Sequence, residues 1–201
     1  MRVRGLAVLC LCLATLSACV RTHNAELQLA PPSHRQAYNG PAIKGMAVSV
    51  TDRRAKKDVI GTNWAVTDTK STWIVTPTRP VADTIRDGIV AEFQARGVPA
   101  NGGPARLQVD VRDVDSRAVW HMFRTQVYGS AMLTVTVEGP SGQTYLKKDF
   151  VDGEERWNEV FMGNQDESKV QLEAVLAKMI AAMADDQSVG IALSKAAAEA
   201  P

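Results

Sequence analysis

Cysteine is scarce and badly placed for cross-linking: the chain has three, Cys10, Cys12 and Cys19, and none after them. Cys10 and Cys12 lie in an N-terminal apolar run that reads as removable, so no intramolecular disulfide framework and no thiolate metal site remains. Histidine is as sparse, with His23, His34 and His121 the only three. No spacing among them fits a zinc site, and no serine stands in a tight glycine-flanked elbow beside a histidine base. Gly102-Gly103 lacks the strand-to-helix context and the lysine of a phosphate loop. The acidic pairs Glu154-Glu155 and Asp185-Asp186 read as solvated turns rather than an acid/base couple. An enzyme is not expected, nor a cofactor or a metal. Excess charge is missing too: 23 basic against 22 acidic side chains give +1, no electrostatic reason to bind nucleic acid. Nor is there a long hydrophobic stretch, since Leu6 to Leu16 is about half the ~20 residues of a membrane-spanning helix.

What that short stretch does match is a secretory signal. Arg2 and Arg4 form a basic n-region, Leu6 to Leu16 the apolar h-region, and Ser17-Ala18 the small residues before a cut. The thiol that follows makes Leu16-Ser17-Ala18-Cys19 resemble the bacterial lipobox. That resemblance implies cleavage between Ala18 and Cys19, a thioether-linked diacylglycerol on Cys19 and acylation (palmitate-like chains) of its freed amine. Two or more chains hold stably, at ~0.8 kcal/mol per buried CH₂. Val20, where an Asp would resemble an inner-membrane retention signal, implies the outer membrane, facing the periplasm. Without the signal the balance is 21 basic to 22 acidic.

Residues 19–41, with Pro31, Pro32, Ser33, Asn39 and Gly40, read as a flexible lipidated tether after the 1–18 signal peptide, leaving 42–201 as one domain. Within it, Gly45 to Thr51 alternates like a half-buried strand and ends in Asp52-Arg53-Arg54. A polar stretch from Ala55 to Lys70 leads to a short strand, Thr72 to Thr76, stopped by Pro77. Val81, Ile85, Ile89 and Phe93 form one helical stripe, with Thr78 as N-cap and Gly97 as the left-handed C-terminal residue. Arg106 to Asp113 and Thr125 to Glu138 alternate strictly, and the Gly139-Pro140-Ser141-Gly142 turn returns Thr144 to Val151 as a third strand of a meander. A last helix starts at Asn164 with Glu167 as a capping box, presents Leu172, Leu176, Met179, Ile180 and Met183, and breaks near Asp185-Asp186 before a short second helix from Val189. The expectation is α+β: an antiparallel sheet of about four to five strands with two main helices on one face.

Met46 to Arg54, Ile60-Gly61, the helix Val81 to Gly97, the meander through Gly142 and the ending Met183 to Ser188, together with the lipobox, resemble the YajG-like family of bacterial lipoproteins. That family implies a cell-envelope location and this fold, and itself lacks an assigned activity. Some of its members resemble auxiliary lipoproteins of envelope transport or assembly systems. The expected function is thus a non-catalytic binding or accessory subunit, with an envelope protein as partner. The alternative is a carrier holding an amphiphile or peptidoglycan fragment between helices and sheet.

Two clusters are candidate contacts. Trp120, Met122 and Phe123 fall at the tip of a hairpin whose register, pairing Val109 with Leu133, centres on His121; they either form a docking patch for a protein or lipid surface, or fold back and are buried. Arg53, Arg54, Lys56 and Lys57 form a basic cluster that either meets anionic headgroups or glycan, or is a solvated loop in which an arginine holds Asp52 inward.

Overall fold

The computed structural model describes residues 20–29, 37–38, 40–66, 72–159 and 166–199. Eight strands make one sheet: β1 (Val20–Ala25), β2 (Met46–Asp52), β3 (Gly61–Ala65), β4 (Thr72–Pro77), β5 (Asn101–Gly102), β6 (Ala105–Trp120), β7 (Thr125–Glu138) and β8 (Thr144–Asn158). The helices are α1 (Val81–Ala95), α2 (Glu167–Asp185) and α3 (Gln187–Ala198). The class is α+β, but a four- to five-stranded antiparallel sheet with two helices is not what forms. The sheet is eight-stranded and mixed, because β1–β4, β2–β6 and β3–β6 pair in parallel. Parallel partners are remote in sequence, and no turn signal announces them.

β6 organises the sheet. Along one side it pairs with β7; along the other, β2 covers its first half and β3 its last four residues. Its inward residues run Ala105, Leu107, Val109 and Val111, then switch parity to Val114, Ser116 and Ala118. A bulge between Val111 and Asp113 inserts Arg112 and causes the switch. Without it, Asp115 and Arg117 would turn into the core. The bulge also hides the strand's second half from any period-two reading, which is why the sequence alternation stops at Asp113. The hairpin with β7 exists, but Val109 faces Val135 and Val111 faces Leu133, two residues from the expected register. A slip of two keeps the same faces inward.

The stretch 19–41, expected to be a tether, instead supplies β1, an edge strand paired with β4 from Val20↔Thr72 to Ala25↔Pro77. Leu27 is buried, and Leu29 packs on the core. Three short elements thus escaped the sequence: β1, β5 and β3, whose Gly61 lies so close to β6 that a Cβ would meet the Ser116 carbonyl at 2.2 Å.

The helices fill one face. Val81, Ile85, Ile89 and Phe93 of α1, and Leu172, Leu176, Met179, Ile180 and Met183 of α2, are all buried, as their spacing demands. At ~1.5–3 kcal/mol per large side chain, these stripes are the main favourable term holding helices to sheet. The caps differ in detail. Pro80, not Thr78, precedes α1, while Gly97 has the positive φ expected after it. Asp166 precedes α2 without a side-chain cap bond, and Asn164 lies outside the described residues.

Candidate functional site

The β6–β7 hairpin closes with the His121 N–H donating to the Arg124 carbonyl at 2.8 Å. Its three candidate side chains go different ways. Trp120 turns back, edge-on to Trp73 with ring centroids 4.9 Å apart. Met122 and Phe123 are 76% and 65% exposed, the former the most exposed large apolar residue described. The Arg124 guanidinium lies 4.4 Å over the Trp157 ring, and the His121 ring is 5.6 Å from the same indole. His121 Nε2 is buried without a hydrogen-bond partner, and the imidazole packs against the Trp157 ring.

The basic cluster divides as well. Arg53, Lys56 and Lys57 are exposed, but Arg54 is 6% exposed and does not belong to a charged surface. Its guanidinium donates to both Asp52 oxygens (2.8 to 3.2 Å), to the Val59 carbonyl at 2.8 Å and to the Lys57 carbonyl at 3.0 Å. The loop joining β2 to β3 is thus wound around one cation. Burial alone would raise the Asp52 pKa, yet the hydrogen bonds from Arg54 and its charge outweigh that, and the net shift is downward. Arg53 reaches Asp110 at 3.4 Å.

The acidic pairs have structural partners. Asp186 separates α2 from α3 and caps α3, accepting from the Ser188 and Val189 N–H groups at 2.9 and 3.2 Å, with Lys148 beside it. Burial pushes its pKa up, but Lys148, the Ser188 hydroxyl and the Val189 N–H pull harder, leaving it at about 2. The Asp185–Asp186 break is where the sequence put it, although α3 begins at Gln187. Asp185 pairs with Arg96, which also holds Glu92 at 2.6 Å. Glu155 accepts from the Gln126 side chain at 2.6 Å, and Glu154 is exposed on β8. Gly102 pairs with Met46 at the end of β5 and Gly103 follows it at a positive φ, close against the Gly45 backbone.

The space between helices and sheet is taken by Phe93, Ile85, Ile89, Leu107, Leu133 and Leu172, each at most 1% exposed. Concavities described lie at the surface. One of about 350 Å³ sits between Tyr38, Arg96, Asp185 and Ile191. A second, about 400 Å³, opens on the helix-free face of the sheet between Trp64, Asp115, Arg117, Tyr128 and Glu155. Arg117 is bonded to Asp115 at 2.7 Å and lies 5.8 Å from the Tyr128 ring. The sequence missed this groove because Asp115 and Arg117 follow the bulge, where strand alternation is out of step. Ala18, Cys19 and His34 lie outside the described residues, while His23, expected in the tether, is in β1 and contacts Asp166 at 3.1 Å.

A family model described as uncharacterized lipoprotein matches residues 31–194. Among solved structures, the chain is similar to a protein of Xanthomonas campestris at 12% identity, covering 86% of this chain and 94% of that one with a TM-score of 0.55. It is similar also to a minor lipoprotein of Acinetobacter baumannii at 11% identity, over 73% and 93% of the two chains, with a TM-score of 0.43. No curated protein matches. At 12% identity the likeness to the Xanthomonas campestris protein is one of fold.

Proposed function

The chain belongs to this YajG-like family of uncharacterized lipoproteins, and from that premise we propose that it is a non-catalytic, outer-membrane-anchored periplasmic lipoprotein serving as an accessory subunit of an envelope transport or assembly system. The observation that carries the reading is β1. Among the described residues the fold begins at Val20, the position after Cys19, so a lipid on Cys19 would hold a folded domain against the bilayer. Such a domain is suited to presenting a surface at fixed height. The helix-free face with its Asp115–Arg117–Tyr128 groove is the polar, accessible surface available for a protein partner.

The carrier alternative loses support, since an amphiphile between helices and sheet would have to displace Phe93, Ile89 and Leu172. Outer-membrane sorting rests on Val20 after Cys19. The test is photo-crosslinking in intact cells from Gln126, Tyr128 and Ser130, all on the open face. A discrete adduct lost on changing Arg117 to Glu supports the accessory role. Absence of any adduct from all three positions argues against it. In parallel, Cys19→Ser protein is expected in the soluble periplasmic fraction, and its persistence in salt-washed membranes would sink the lipoprotein assignment for this chain.

A further inference from the structure

Six strands end at one rim of the sheet. Val20 of β1 pairs with Thr72 of β4, Thr72 with Trp64 of β3, Ala65 with Trp120 of β6, Trp120 with Thr125 of β7, and Thr125 with Asn158 of β8. Of the eight large apolar residues exposed among those described, five line this rim: Val20, Val66, Met122, Phe123 and Trp157. The other three, Val151, Val170 and Ile191, are scattered. All four tryptophans of the chain also sit here, since Trp64 and Trp120 are rim pairs, and Trp73 and Trp157 are one pairing inward. Arg21 and Arg124 flank them, Arg124 lying over the Trp157 indole. The opposite pole is polar, with the Gly139–Gly142 turn bound through Ser141 and Tyr145 to Glu199.

We propose that this rim is a bilayer-contacting surface, on which the domain rests against the same lipid leaflet that holds the acyl chains of Cys19. The proposal depends on the lipoprotein assignment, and the chain's geometry supplies the rest. Consecutive Cα atoms are ~3.8 Å apart, so the lipidated residue is fixed at the Val20 corner of the rim. Five inter-strand steps of ~4.8 Å place Trp157 on the order of 24 Å away at the other corner. A single corner anchor leaves the domain free to swivel; an apolar rim running out from it supplies the second contact. Tryptophan and arginine are the side chains that suit a headgroup layer, one end apolar and the other polar. The groove on the open face shares Trp64 with this rim and runs back from it to Asp113 and Ser130, so its far end stands clear of the lipid, free for a partner. Lys56 and Lys57, on the loop beside the middle of β6, lie on the order of 20 Å back from the rim at ~3.3 Å per residue. That exceeds a Debye length of ~8 Å, so they are not headgroup ligands.

The test uses the mature lipidated protein in vesicles of phosphatidylethanolamine and phosphatidylglycerol (3:1). Because Cys10 and Cys12 leave with the signal and the Cys19 sulfur is alkylated, an introduced cysteine is the sole free thiol. Met122→Cys and Ser141→Cys, each labelled with nitrobenzoxadiazole, probe the two poles at exposed positions. The 122 label is expected to brighten at least twofold on reconstitution while the 141 label stays constant. Native tryptophan emission is expected to fall by at least a third when the vesicles carry brominated acyl chains. Protein that floats with vesicles but shows neither change overturns the proposal and leaves the anchor standing. Protein that does not float overturns the lipoprotein assignment instead. If the 122 label responds only to added envelope proteins and never to lipid, the rim is a protein-docking surface and the bilayer proposal is refuted.

Discussion

Arg53 and Arg54 are neighbours in sequence with opposite surroundings, and truncating each to alanine measures what the clasp around the β2–β3 loop contributes. Removing the Arg54 side chain strips Asp52 of its cation and leaves the Val59 and Lys57 carbonyls without their donor. Breaking a buried pair costs ~3–5 kcal/mol. Here the Asp52 side chain is 12% exposed and keeps the Arg54 N–H, and a cleft opens beside the loop for water, so the low end applies, about 3 kcal/mol. With a urea m-value of ~2 kcal/mol/M, the midpoint falls by ~1.5 M. Arg53 is 58% exposed with one 3.4 Å contact, so Arg53→Ala stays within ~0.5 kcal/mol, or ~0.25 M. The Asp52 carboxyl is held below its ordinary value of 3.8, so its contribution is complete above that pH and disappears as pH falls through the lower folded value. The gap between native and Arg54→Ala midpoints therefore narrows below about pH 4. An Arg54→Ala midpoint shift smaller than ~0.5 M, or one matched by Arg53→Ala, would refute the clasp.

Asp186→Ala, which removes the α3 cap, is expected to cost ~1–2 kcal/mol at neutral pH by urea titration. The native carboxyl, at about 2 against 3.8 unfolded, stabilises fully above pH 3.8 and loses that effect toward pH 2; an NMR titration finding its pKa near 3.8 would contradict the cap. Gly61→Ala sets a Cβ against the Ser116 carbonyl and is expected to lower stability by ~2 kcal/mol or more, seen as a lower melting temperature, with no loss pointing to a different β3–β6 approach. Deleting Arg112 removes the extra residue and leaves Val111, Val114, Ser116 and Ala118 in one unbroken alternation with Asp115 and Arg117 still outward, so a native-like circular dichroism spectrum is expected; loss of folding would show that the bulge does more than offset the register.

What could be read in the sequence is local. The α1 stripe, the α2 stripe, the Gly139–Gly142 turn and the alternation of β7 each repeat within a few residues, and each forms where its period says. What could not be read is pairing at a distance. β1 looks like polar coil because only Ala25 of its six residues is buried, and its partner β4 is about fifty residues away. β3 is disguised by Gly61, which fits against β6 where a side chain would clash, and by the buried polar residue Asn63. The candidate patch was half legible: the hairpin tip could be placed, but whether Trp120 stays out depended on Trp73, a residue of another strand. The basic cluster was half legible in the same way: an arginine holding Asp52 inward was one of its readings, but a charge run says nothing about which member has carbonyls facing it, and that member is Arg54.

The direction of β1 has a mechanical consequence. On the proposed lipidation of Cys19, its N-terminus is the point at which the anchor would pull, and the strand enters the sheet alongside β4 in parallel. Force on the anchor along the strand loads all six residue pairs together in shear, rather than peeling them one after another from the free end. The Thr76 hydroxyl bonded to Asn24 at 2.7 Å and the His23–Asp166 contact act as cross-ties on that strand. Resistance to such a pull is set by a barrier and a rate rather than by equilibrium stability, so tension transmitted through the envelope would test the bond lifetime of β1 before it tested the rest of the domain.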